Sequence, residues 1–208
     1  MFAFPVFALP LAYLSVAAWF FPRHREEALA RSFGRGLALG LPCALVHMLV
    51  LGWIPEVHGS FLFVFRIWWE RFLLPFSLTI AASRLIQGFE DTVRSDAALR
   101  RFTAFQFGCF TVLALVSAVR YADSPDTFVL FFNPLLSIAG IFAAVYFLER
   151  AVTEAGVYVA LWISAGVLAS FAFACAAYLF EARLEWLGAI LSLALLGISS
   201  YQVRFLMK

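Results

Sequence analysis

Six stretches of this 208-residue chain are each apolar for about 20 residues, the length a helix needs to cross a hydrocarbon core of about 30 Å. They cover residues 2–21, 36–55, 102–121, 127–148, 156–180 and 184–201. A seventh, 61–83, is interrupted by Arg66, Glu70 and Arg71. None alternates apolar and polar residues with a period of two, so the strands of a membrane barrel do not fit them. Connections of about 3 to 18 residues leave no room for a soluble domain. The chain is 64% hydrophobic and 13% charged, where a soluble domain carries about 25% charge. The expected fold is all-α: a polytopic membrane helix bundle of seven transmembrane helices, forming one domain over residues 1–208.

The basic residues give the orientation. Arg23, Arg25, Arg31 and Arg35 lie in the first connection, Arg84, Arg94, Arg100 and Arg101 in the third, and Arg150 in the fifth; Arg204 and Lys208 end the chain. These eleven share one side, whereas the opposite side holds only Arg183. The positive-inside rule then puts the N-terminus outside and the C-terminus in the cytoplasm of a plasma membrane, such as a bacterial inner membrane. Glu27–Arg31, Glu90–Arg94 and Asp96–Arg100 are acid-first pairs four residues apart, so the cytoplasmic connections are expected to be helical. Ser95 and the Ser124-Pro125-Asp126 turn read as helix starts.

The third segment carries the chemistry. On a helix, Arg66, Glu70, Ser77, Ala81, Arg84 and Gly88 fall in one stripe about 60° wide, away from Phe61, Phe63, Trp68, Trp69 and Phe72. Arg71 lies off that stripe. Mid-bilayer charge costs about 2.5–3.5 kcal/mol on the insertion scale, so these groups are expected to face protein, with Arg66 and Glu70 paired. Pro75 cannot donate and permits a kink. In the competing arrangement, residues 59–71 lie flat at the outer interface with Trp68 and Trp69 in the aromatic belt. His47, one turn beyond Cys43, is placed near the middle of the second segment, either bonded to a helix carbonyl or paired with Glu70. The candidate polar site is therefore His47, Arg66, Glu70, Arg71 and Ser77. In the sixth segment, Gly166, Ser170 and Ala174 form a small-residue face for a neighbouring helix or subunit.

Several chemistries are excluded. Lys208 is the sole lysine, so there is no phosphate-loop lysine and none to carry a Schiff base. Cys43, Cys109 and Cys175 lie in apolar runs without C-x-x-C spacing and read as small buried residues. His24, His47 and His58 form no H-E-x-x-H, and only His47 is deep enough to meet a membrane haem. All four aspartates sit in connections, and no G-x-S-x-G occurs. Neither a metal nor another cofactor is expected, and enzyme chemistry is not. A net charge of +2 gives no reason to invoke nucleic acid. The partners expected are the lipid bilayer and a membrane-protein partner or second copy.

Glu26-Glu27-Ala28-Leu29-Ala30-Arg31 is similar to the E-E-x-x-x-R element of the CAAX-protease membrane enzymes. It lies in a charged connection, however, and position 43 ahead of His47 is cysteine where that family has phenylalanine. It reads as helix-surface charge. In helix count and orientation the chain resembles the small vitamin and sugar carriers built as three helices, a linker helix and three more, with Leu9-Pro10-Leu11 echoed by Asn133-Pro134-Leu135. That resemblance implies a substrate site at mid-bilayer between the halves. The expected function is a small transporter or channel-like permease using the polar face of the third segment. The alternative is a non-enzymatic sensor or assembly subunit of a membrane complex.

Overall fold

The computed structural model describes residues 27–53, 60–87, 96–120, 127–154 and 158–206, and these form six helices. Helix α1 is Glu27–Leu51. Helix α2 covers residues 60–87 and has three parts: Ser60–Trp68, a π turn at Trp69–Leu73, and Leu74–Gln87. The others are α3 (Asp96–Arg120), α4 (Thr127–Thr153), α5 (Tyr158–Glu181) and α6 (Glu185–Leu206). No strand occurs among the described residues. The expected first segment, residues 2–21, lies outside them, as do Glu26, Ser95 and the turn at 124–126.

Five helices, α1 and α3 to α6, are long and apolar enough to cross a membrane, which by length and composition marks a membrane protein. Helix α2 fails that test because its two α-helical parts have only 9 and 14 residues and three charges fall close together. Counted as one continuous rod, it is about 42 Å long.

Helix α1 departs from the expected 36–55. Its described part reaches back to Glu27, into the arginine-rich connection, where Ala28 and Ala30 favour a helix. It stops at Leu51, where Gly52 and Trp53 donate to the Met48 and Val50 carbonyls ahead of Pro55. His47 consequently sits one turn from the helix end rather than near its middle.

Lipid is as apolar as leucine, so helices in a bilayer associate through close packing rather than hydrophobic transfer. The tightest approach joins α1 to α3. A Cβ on Gly36 would lie 3.1 Å from Cα of Gly108 and closer still to the Phe105 carbonyl oxygen; one on Gly40 would lie 2.8 Å from Cβ of Val112. Ascending residues of α1 meet ascending residues of α3, so the two run parallel. Helix α3 is the enclosed centre, with 72% of its apolar stretch buried against 17% for α5. Phe107 meets Phe142 of α4 edge-on at 5.8 Å, and Phe110 meets Phe76 of α2 at 4.6 Å. A second apolar cluster joins Ile67 and Phe72 of α2 to Leu136 and Ala139 of α4 and to Phe173 and Ala174 of α5.

The α5–α6 connection is a tight helix stop. Leu184 N–H reaches back to the Leu179 carbonyl and Arg183 N–H to that of Phe180. Arg183 occupies the left-handed position at φ 60°, the usual place of glycine, and is the one non-glycine residue with positive φ among those described. This stop holds Glu181 at the end of α5, beside the charged part of α2.

Candidate functional site

The site is built around a defect in α2. In an α-helix Leu74 N–H would bond the Glu70 carbonyl; here it bonds Trp69 O, one residue further back. The next donor along would be position 75, which is proline and has no N–H. Glu70's carbonyl thus loses both helical donors, and leaving such a group enclosed and unmade costs about 1–3 kcal/mol. His47 of α1 supplies the replacement, with Nε2 lying 2.8 Å from Glu70 O. A carbonyl only accepts, so Nε2 carries the proton in this bond. The π turn and the α1–α2 contact are one device.

The turn also sets which residues face inward. Buried positions along α2 run Ile67, Phe72, Pro75, Thr79 and then Ala82 with Ser83. The steps are three or four residues except between Ile67 and Phe72, where the π turn inserts one more. That extra residue keeps Phe72 in the core, stacked on Phe173 at 5.9 Å. It swings Arg71 toward α5, where its guanidinium donates to Glu181 Oε1 at 2.8 Å.

Arg66 donates through Nε to Glu70 Oε1 at 2.7 Å. The side chains of Arg66, Glu70 and Arg71 are 21%, 12% and 14% exposed and Glu181 is 30% exposed, so both ion pairs are largely enclosed. Partly exposed pairs of this kind contribute roughly 1 kcal/mol or less each. Their main effect is positional: they fix four charges around the π turn in a setting where none can be left alone cheaply.

The structure thus brings together four of the five expected residues: His47, Arg66, Glu70 and Arg71. His47 takes the first of its two expected arrangements, a bond to a helix carbonyl: it meets the Glu70 backbone and not the Glu70 carboxylate, which belongs to Arg66. One detail differs from expectation. Ser77 faces away, exposed together with Ala81 and Arg84, because the π turn rotates everything after it by about one residue, or 100°. Among the described side chains of α2, the uncharged polar ones that do face inward are Thr79 and Ser83, 0% and 1% exposed.

Residues 62–73 pack along the bundle. Phe63 meets Tyr178, Trp68 packs on Phe171, and Trp68 Nε1–H donates to Ser170 Oγ at 2.7 Å. The small-residue face of α5 is consumed by the same contacts. Gly166 lies under Phe147 of α4, Ser170 receives Trp68, and Ala174 is fully buried against the Ile67–Phe72 cluster. The neighbour of that face is the chain's own helices.

Sequence reasoning missed three participants. Glu181 falls just past the apolar run 156–180 and is the partner of Arg71. Gly36-x-x-x-Gly40 is a small-residue spacing that could have been read as the α1–α3 contact. Gln106 of α3 is 1% exposed, and neither of its amide atoms has a hydrogen-bond partner. Among the described residues no group of three or more His, Cys, Asp and Glu could hold a metal ion, and the three cysteines are free thiols. No family model, curated protein or solved structure matches the chain.

Proposed function

We propose that this chain is a small multi-pass permease of a plasma membrane, with seven helices, the N-terminus outside and the C-terminus in the cytoplasm. Residues 2–21 would supply the first helix and α2 the third. The orientation rests on the eleven basic residues that share one side.

The permease reading is carried by the π turn of α2, with its carbonyl handed to His47 and its flanking charges held by Arg66–Glu70 and Arg71–Glu181. Single π turns recur inside α-helices at functional sites, and in this reading the turn can shift by one residue. Here such a move would return Glu70's carbonyl to Leu74, release His47, and rotate Arg66 and Glu70 relative to Phe72. Protonation of Glu70 would free Arg66 and favour that rearrangement, which gives a proton-linked gate.

The test is proton flux in proteoliposomes carrying an internal pH dye under an imposed potassium diffusion potential. Wild-type protein is expected to pass protons faster than empty vesicles, and Glu70→Gln, with an unchanged size-exclusion profile, is expected to abolish the difference. Equal rates for wild type, Glu70→Gln and empty vesicles would overturn the reading.

A further inference from the structure

We propose that Gln106 anchors a small internal binding site between α2 and α3 for a hydroxyl group, supplied by water or by an uncharged polyol. The site is separate from the charged cluster at the π turn, and it stands whether or not α2 is a gate.

Helix directions place it. Helix α1 runs parallel to α3, through Gly36 and Gly40 against Gly108 and Val112. It runs antiparallel to α2, since His47 meets Glu70 and Cys43 meets the Leu78 carbonyl. Helices α2 and α3 are therefore antiparallel, and the Phe76–Phe110 ring contact at 4.6 Å sets their register. Four residues on from Phe76 is Ile80; four back from Phe110 is Gln106. Thr79 and Ser83 bracket that level on α2 and Thr103 adjoins it on α3, each on the face of its helix that carries the ring contact.

These four polar side chains are 0–1% exposed. The three hydroxyls donate within their own helices: Thr79 to Phe76 O at 3.1 Å, Ser83 to Ile80 O at 2.7 Å and Thr103 to Leu99 O at 2.8 Å. Their oxygens retain only acceptor capacity. Gln106 contributes an amide donor group and a carbonyl acceptor, both enclosed and both without a partner. A guest must therefore accept from Nε2 while donating to Oε1 or to a hydroxyl oxygen. An ammonium lacks the acceptor and a carboxylate lacks the donor, while a hydroxyl has both. All four anchoring groups are neutral, so an ion there would have no counter-charge.

The chain has three glutamines, so Gln87→Glu and Gln202→Glu leave Gln106 as the sole source of a glutamine side-chain signal. The full-length protein with these changes and a 15N-labelled glutamine amide is placed in proteoliposomes. Magic-angle-spinning spectra are recorded with polarisation transferred from water, and separately from 13C-labelled glycerol. Transfer from water to the Gln106 amide supports the site with water as its occupant; transfer from glycerol supports it with a polyol. An amide that receives polarisation from neither probe overturns the proposal. Both arms leave Gln106 intact, so the result does not depend on whether a Gln106 variant folds, and it is independent of proton flux.

Discussion

Two glycines in the same turn of α1 are predicted to respond to alanine with opposite sign. A Cβ on Gly36 would meet the backbone of α3 at the Phe105 carbonyl and at Cα of Gly108, 3.1 Å away. Ordinary van der Waals contact begins near 3.4 Å, and a backbone carbonyl, unlike a side-chain tip, cannot rotate away. The helices would have to part by about 1 Å, loosening the α1–α3 seam over its whole length, and overpacking of this kind costs about 1–3 kcal/mol. Gly34 faces outward with nothing within 4 Å of an added Cβ. There alanine only improves helix propensity, by up to about 1 kcal/mol. The assay is thermal or denaturant unfolding of the purified protein in detergent, followed by tryptophan fluorescence. Gly36→Ala should lower the midpoint and Gly34→Ala should hold or raise it. Equal shifts in the same direction would refute the close approach of α1 and α3.

Trp68→Phe and Ser170→Ala should each cost about 1 kcal/mol, and the double variant no more than either alone, as a double-mutant cycle in the same unfolding assay will read. Arg71→Met and Glu181→Met should each destabilise more than the pair combined, because each single change leaves a mostly enclosed charge; additive losses would show the pair to be uncoupled. Arg183→Gly should stabilise the protein by up to about 1 kcal/mol through relief of the left-handed backbone, read as a raised unfolding midpoint. Pro75→Ala restores an N–H at position 75, giving Glu70's carbonyl a helical donor again. His47→Ala should therefore cost less in that background than in wild type.

Five of the six described helices were legible in the sequence because apolar length alone specifies them. The helical stretch ahead of residue 36 in α1 was legible too, from the acid-first spacing in the charged connection, but the end of α1 was not: it stops at Leu51, short of the apolar run's end at 55. The Arg66–Glu70 pair followed from i, i+4 spacing. The partner of Arg71 did not, because nothing local to either residue links position 71 to position 181. A uniform 100° per residue puts Ser77 with Arg66, and one π turn breaks that register for every residue after it. Pro75 was the visible warning. Its missing N–H removes one donor, but whether a helix answers with a kink, a water or a π turn is decided by what packs beside it. Here Phe72 must stay in the Ile67–Phe173 cluster and His47 is within reach of the freed carbonyl.

The account depends on residues 62–73 descending through the bundle with their charged groups turned to protein. Site-directed nitroxides along this stretch, introduced into a chain whose cysteines are replaced by alanine, give depth from the ratio of collisions with oxygen and with a nickel chelate. A helix that crosses the bilayer predicts depth increasing by up to about 1.5 Å per residue from 62 to 73, with Ile67 and Phe72 closed to both reagents and Leu62 and Phe65 open to oxygen. A constant shallow depth along the whole stretch would mean that it lies on the membrane surface, and would contradict both the gate and the role given to Glu70.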